Sequence, residues 1–199
     1  KAFDEMRVKW AELEKSGSPI QGMIVRMIDA RHLVKADRSD EAFEILGKLR
    51  RELGPPYDGM LPLGYVYVYL EMDQADSAEV YLRRLQPFID GYQIEQLRQN
   101  VYFAQGRIAE IRGDYTKAIE ACQKQSEINP AEAIVHHYVG RCQRKLGDYA
   151  AAEASFGKSL KIYPNDPDAL YELALLQSDK GEKENAVASI EKALEVWKD

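Results

Sequence analysis

The chain has 199 residues, of which 30% are charged and 45% hydrophobic, proportions that are ordinary for a soluble folded protein. The formal net charge of -6 argues against bulk attraction to nucleic acid or anionic lipid. Two cysteines, Cys122 and Cys142, are too few for a disulfide framework and match no metal motif, so we expect both to be small buried residues. No apolar run approaches the roughly 20 residues needed to span a membrane.

The first predicted element is a helix over residues 2–15, followed by the breakers of Ser16–Pro19. Its apolar side chains recur at helical spacing and form one stripe. It could cap the elements that follow or be the last helix of a preceding repeat, and both interpretations stay open. The chain begins at Lys1 without a methionine, which is compatible with a fragment, so the missing secretory signal leaves the compartment open. The stripe consists of Phe3, Met6, Trp10 and Leu13.

Two helix pairs are predicted next, over residues 23–56 and 59–92. Neither has a glycine in its turn. The prolines Pro55-Pro56 mark the loop between them, and a second loop is predicted over residues 88–98, part of which extends the next helix. Tyr65–Tyr69 alternates aromatic and β-branched residues like a strand. Because no other segment alternates convincingly, a strand would have no partner, and we predict a helix there.

The second half of the chain repeats itself. Gly113-Asp114-Tyr115 and Gly147-Asp148-Tyr149 are 34 residues apart, and Gly181 follows after another 34. Pro130 and Pro164 each follow an apolar helix and cannot extend it. The period predicts three helix pairs, over residues 99–132, 133–166 and 167–199.

This pattern resembles the tetratricopeptide repeat, a helix-turn-helix unit of 34 residues. The departures are His136, where the family often has Trp, and Gln143, where it often has Tyr. The resemblance implies an all-α fold: a right-handed superhelix, or α-solenoid, of about five antiparallel helix pairs with an extra N-terminal helix. The residues of the best unit that fit the family are Gly140, Gly147, Tyr149, Ala152, Phe156 and Pro164.

The resemblance also implies a binding surface, because in this family the first helix of each pair lines a concave groove. The candidates in the first half are mainly apolar or aromatic and those in the second half are mainly basic. We therefore predict a protein or peptide partner with an apolar part and an acidic or C-terminal carboxylate part. The residues predicted to bind the partner are Met27, Arg31, Tyr67, Phe103, Arg107, His137, Arg141, Arg144, Lys145 and Tyr171.

An alternative stays open for each half of this surface. The basic residues could pair with Glu and Asp on adjacent helices, and the apolar ones could be core. The Lys and Asn residues by which some family members hold chaperone tails are absent, so we do not predict that ligand.

No catalytic motif is visible. The chain lacks HExxH, G-x-S-x-G and P-loop patterns. His136 is predicted to pack between helices and His137 to face the groove, with no second ligand at metal spacing. We expect a protein-binding scaffold that is not an enzyme, with no cofactor, no metal, no nucleic-acid partner and no membrane insertion.

Two other classes remain. The first is a self-association module, such as a homodimer in which the last helix is covered. The second is the accessory region of a larger enzyme or sensor. The last predicted helix favours the first alternative, because it carries the apolar residues Val187, Ile190, Leu194 and Trp197 and no capping helix follows.

Overall fold

A computed structural model describes residues 19–55, 57–92 and 95–198 of the chain. The helix predicted over residues 2–15 lies outside these described residues. Within them every regular element is helical and there is no strand. The chain divides into two compact units, Lys1–Ile94 and Glu95–Asp199.

The described part of the first unit holds two helix pairs. Helices α1 and α2 form the first pair, and α3 and α4 form the second, with a short 3-10 turn before α3. Helix α3 packs against both helices of the preceding pair. The ranges are α1 Pro19–Lys35, α2 Ser39–Glu52, the 3-10 turn Tyr57–Met60, α3 Leu61–Glu71 and α4 Ala75–Tyr92.

The second unit holds three pairs with the same packing rule. The first helix of the last pair contacts both helices of the pair before it. Apolar side chains between the pairs make the core, as where Phe156 and Leu176, both fully buried, meet. The ranges are α5 Glu95–Ile111, α6 Tyr115–Ile128, α7 Ala133–Lys145, α8 Tyr149–Ile162, α9 Pro167–Asp179 and α10 Lys183–Lys198.

The turn inside each pair repeats one hydrogen-bonded geometry. A residue with left-handed φ ends the first helix, and the N–H of the following residue donates to a carbonyl five residues earlier, as from Asp148 to Gln143 at 3.0 Å. In the second unit glycine fills the left-handed place. Aspartate fills it in the first, and aspartate is among the few other residues that tolerate this backbone. The left-handed residues are Asp37, Asp73, Gly113, Gly147 and Gly181, with φ of 60°, 54°, 78°, 80° and 80°.

Two expectations about single elements have different outcomes. Tyr65–Tyr69 is helical within α3, as predicted, because burial of the helix among its neighbours overrides β propensity. The loop predicted over residues 88–98 is shorter than expected, since α4 continues past Pro87 to Tyr92, and the last part of the segment extends the next helix, as predicted, because α5 begins at Glu95. Proline costs one helical hydrogen bond, but the turn beyond it buries Ile89, which is 5% exposed.

Candidate partner-binding surface

The first helices of the second unit contact one another through charged side chains. Glu110 on α5 accepts from Arg141 on α7, with 2.6 Å between Nη2 of Arg141 and Oε2 of Glu110. Arg107, one turn before Glu110, pairs with the same carboxylate. Two guanidinium groups therefore share one carboxylate, and these three residues lie together because the helices α5 and α7 are neighbours in the stack.

Tyr138 fixes the two arginines. Its ring lies 4.8 Å from Cζ of Arg107 and 4.6 Å from Cζ of Arg141, so each guanidinium contacts the aromatic face. Phe103 packs edge-on to the same ring, with centroids 5.2 Å apart. Tyr138 was not among the predicted binding residues, because the family positions carried over to this sequence skip its place in the helix.

Arg144 makes the next link, from α7 to α9. Its Nη1 lies 2.7 Å from Oδ2 of Asp179, and its Nη2 lies 3.2 Å from Oε2 of Glu172. The side chains of Arg144 and Glu172 are 10% and 11% exposed. The pair is therefore nearly removed from water, and each charge depends on its partner.

These ion pairs set the electrostatics of the surface. Burial alone would lower the pKa of Arg141, but its hydrogen bond to Glu110 and the charge of that carboxylate raise the pKa above its usual value. Arg141 and Arg144, which were predicted to face a partner, thus pair with acids on adjacent helices, and Arg107 pairs with Glu110 on its own helix.

Three predicted contacts lie in the core instead of on an open groove. Met27 and Phe103 are each 7% exposed. His137, expected on the exposed face, is 5% exposed and packs between Tyr138 and Phe156. His136, expected to pack between helices, is half-buried. Adjacent helical residues differ by about 100° around the axis, so the two histidines face different surroundings, and the structure buries His137 more deeply than His136.

Two predicted residues of the second unit are accessible. Lys145 is exposed at the end of α7, and Tyr171 on α9 is 39% exposed. They are the candidates that a partner could reach without displacing packed side chains.

The first unit repeats one element of this arrangement. Nε of Arg31 on α1 lies 2.6 Å from Oε1 of Glu71 on α3, and Cζ of Arg31 lies 5.6 Å from the ring of Tyr67. An arginine, a carboxylate and a tyrosine again meet between neighbouring first helices. Tyr67 is half-buried.

The two cysteines were expected to be buried, unreactive side chains, and the structure places both in the core. Cys122 and Cys142 are buried, as predicted, and burial raises the pKa of each thiol to about 12. They line a narrow space beside Arg107 and Glu110 that is too small to admit a water molecule. Among the described residues, no group of His, Cys, Asp and Glu side chains could hold a metal ion. None of the described helices is long and apolar enough to cross a membrane.

The fold defines a class, that of proteins built from stacked helical hairpins with a repeated turn. Family models of the tetratricopeptide repeat match residues 100–165 and residues 140–198. Residues 100–198 of the chain therefore belong to the tetratricopeptide-repeat family, and proteins of this family are in general non-enzymatic scaffolds for protein–protein interaction. No curated protein sequence matches the chain.

Solved structures with the same fold include several tetratricopeptide-repeat proteins. The Parabacteroides merdae protein has a TM-score of 0.72 at 14% identity, covering 98% of this chain and 72% of its own. A thermophilic protein of Thermus thermophilus has a TM-score of 0.69 at 20% identity, covering 87% and 90%. YrrB, a tetratricopeptide-repeat protein with an unusual peptide-binding site, has a TM-score of 0.53 at 17% identity, covering 100% and 94%. At these identities the likeness concerns the fold.

Proposed function

We propose that the chain binds a segment of a partner protein on the first-helix face of its second unit, and that this binding, not catalysis, is its activity. The first-helix face is defined by Arg107, Tyr138, Arg141, Lys145 and Tyr171 on α5, α7 and α9. Peptide binding of the kind described for YrrB is the activity that this proposal assigns to the chain.

The observation that carries the proposal is the pair of cations along α7. Arg141 is 22% exposed although it holds Glu110, and Lys145 follows one turn later on the same face. Lys145 is exposed and takes part in no ion pair with the described residues. A partner's carboxylate, from an acidic side chain or a C-terminus, would pair with Lys145 and lie beside Arg141.

Aromatic surface lies next to these cations. Tyr138 is half-buried against Arg141, and Tyr171 is exposed on the neighbouring first helix α9. The exposed ring of Tyr171 offers an apolar face to whatever residue adjoins the partner's carboxylate, while the ring of Tyr138 holds the two arginines in place beside it. The surface therefore suits a segment that combines an acidic group with an apolar one.

The ion pairs also limit how strong such a contact can be. A guanidinium that already holds Glu110 gains less from a second carboxylate than an unpaired one would. We therefore expect the acidic group to set the orientation of the ligand and the tyrosines to supply most of the affinity.

Fluorescence polarisation with two labelled peptide libraries tests the proposal. One library is rich in Glu and aromatic residues and has a free C-terminal carboxylate. The other replaces Glu by Gln and is amidated. We expect the chain to prefer the first, and Lys145→Glu or Arg141→Gln to weaken that binding about fivefold or more.

The matched control is Lys158→Glu on α8. It reverses one exposed charge, as Lys145→Glu does, but on a second helix. It should leave affinity within about twofold, once all variants show unchanged helicity and melting. Equal binding of both libraries, or equal loss in Lys145→Glu and Lys158→Glu, would refute recognition at the first-helix face.

Self-association is a second candidate, favoured by one observation. Val187 and Leu194 are seven residues apart on α10 and are 54% and 46% exposed. Such a stripe would be covered in a dimer. Sedimentation velocity of the chain and of Val187→Glu distinguishes the cases: a dimer that the substitution dissociates supports self-association, and a monomer at micromolar concentration excludes it.

A further inference from the structure

Three exposed arginines of the first unit have no acidic partner among the described residues and lie away from the first-helix face. Arg50 and Arg51 are exposed in the last turn of α2, and Arg84 is exposed on α4. Among the described residues, none of the three takes part in an ion pair, whereas Arg31, on a first helix of the same unit, is paired with Glu71. A protein with a net charge of -6 therefore leaves positive charge unneutralised on the second helices of its first unit.

These arginines border a cluster of four aromatic rings between α2, α3 and α4. Tyr81 stacks on Tyr65 and on Tyr69, with ring centroids 4.5 Å and 5.5 Å apart. Phe43 completes the cluster, 5.4 Å from Tyr69 and 6.5 Å from Tyr65. All four side chains are half-buried, so each presents part of its surface to solvent. No hydrogen bond joins the three tyrosine hydroxyls to the described protein groups.

Arg84 packs against this cluster, and Arg50 and Arg51 lie close enough to Tyr65 for their charges to act on its hydroxyl. Cζ of Arg84 lies 4.7 Å from the centroid of the Tyr81 ring. On α2, Phe43, Gly47 and Arg51 follow one another at four-residue spacing and share a face. The guanidinium of Arg51 folds back over Gly47, where a Cβ would lie 3.7 Å from its Nη1. A bulky residue at position 47 would displace that guanidinium.

The charged side chains that act on the tyrosine hydroxyls are likewise positive. Burial is the main cause that raises the pKa of Tyr65 and of Tyr69, and neighbouring tyrosines add to it. The opposing charges are all arginines: Arg50 and Arg51 at Tyr65, and Arg84 at Tyr69. Among the described residues, no carboxylate contributes at either hydroxyl.

We propose that this aromatic–arginine surface, formed by Tyr65, Tyr69, Tyr81, Arg50, Arg51 and Arg84, docks an acidic segment of a partner protein. Guanidinium forks and tyrosine hydroxyls donate to carboxylates, and the stacked rings supply contact area at low entropic cost. The net charge of -6 repels an acidic segment in general, so its binding requires a local positive surface such as this one. A nucleic acid is disfavoured, because three arginines neutralise few phosphates and the net charge opposes binding.

A labelled octapeptide of alternating Glu and Tyr is the probe, measured by fluorescence polarisation against the full chain at low salt. We expect saturable binding, weakened about tenfold or more by Arg50→Glu with Arg84→Glu and strengthened by lower ionic strength. Tyr81→Phe keeps the ring and removes one hydroxyl, and should weaken binding about two- to fivefold without altering the melting temperature.

Lys158→Glu with Lys161→Glu on α8 is the control, because it makes the same change in net charge in the second unit. Equal weakening by both double variants would mean bulk electrostatic attraction and overturn the proposal. No saturable binding by the folded chain would overturn it too, as would tighter binding of a labelled single-stranded oligonucleotide of equal charge. The measurements are repeated in a Lys145→Glu background, in which binding at the first-helix face is weakened, so that the binding that remains reports on this surface.

Discussion

A Cβ atom placed on Gly140 of α7 would lie 2.7 Å from Cε1 of Phe156 on α8. Phe156 is fully buried, and its ring fills the space that the missing side chain leaves. The largest core side chain of this hairpin is thus opposite its smallest residue, and this match sets how closely the two helices approach.

Gly140→Ala should therefore destabilise the chain, although alanine is normally the better residue in a helix. The added methyl group overlaps the ring of Phe156, and overpacking costs about 1–3 kcal/mol, more than the gain of about 1 kcal/mol from helix propensity. Urea unfolding followed by circular dichroism measures the difference.

Gly157→Ala is the matched control on the neighbouring helix. A Cβ there would meet nothing within 4 Å, and the position is exposed. The same substitution should then stabilise the chain by up to about 1 kcal/mol. Equal effects at positions 140 and 157 would contradict the role assigned to Phe156.

The small residue at Gly140 could be predicted from the sequence, because it recurs with the turn glycines at the 34-residue period. The turns of the first unit could not be recognised that way. Asp37 and Asp73 occupy the place of the glycines with φ of 60° and 54°, and nothing but the general tolerance of aspartate for this backbone marks them.

Asp37→Gly should stabilise the first unit by about 0.5–1 kcal/mol. Glycine adopts left-handed φ without steric cost, while aspartate carries part of the penalty of an L-residue there, and glycine's larger entropy loss offsets some of the gain. Gly147→Ala makes the reverse change at φ 80° and should destabilise by about 1–2 kcal/mol. Thermal unfolding of both variants tests the pair, and a loss of stability in Asp37→Gly would contradict the assignment of strain to that turn.

The ion-pair partners of the arginines could not be predicted from the sequence either. Arg31 pairs with Glu71, and Arg144 with Glu172, residues far apart in the chain that meet when successive first helices stack. A periodic pattern predicts which helix face an arginine occupies. It does not show which carboxylate of the next helix lies opposite, because that depends on the rotation and offset of the helices.

Glu172→Ala should destabilise the chain by about 3 kcal/mol. It leaves Arg144, 10% exposed, with Asp179 as its remaining partner, and this puts the cost at the lower end of the range for breaking a buried pair. Glu153→Ala removes a partner of Lys180 at the surface, where Glu153 is 56% exposed, and should cost less than about 1 kcal/mol. Chemical unfolding of the two variants side by side gives the comparison, and similar losses would show that burial does not set the strength of these pairs.

The buried thiols give the chain a stability that falls at alkaline pH. Burial, and next the charge of Glu110, raises the pKa of Cys122 and Cys142 from 9.0 to about 12. Above pH 9 the unfolded chain loses these protons while the folded chain keeps them, so the unfolded state binds fewer protons and the free energy of unfolding decreases. The stabilising contribution is complete below pH 9 and is lost as the pH rises towards 12.

Urea unfolding between about pH 8 and pH 10 measures this effect against the double variant Cys122→Ala with Cys142→Ala. Each thiol should account for up to about 1.4 kcal/mol per pH unit above 9, and the variant should lack that part of the slope, since lysines and tyrosines titrate alike in both proteins. The thiols of the folded protein should also react with a disulfide reagent at pH 8 only as fast as the chain opens, because the thiolate is the reactive form. Identical slopes, together with rapid reaction of the folded chain, would show that the two cysteines are not buried between α5, α6 and α7.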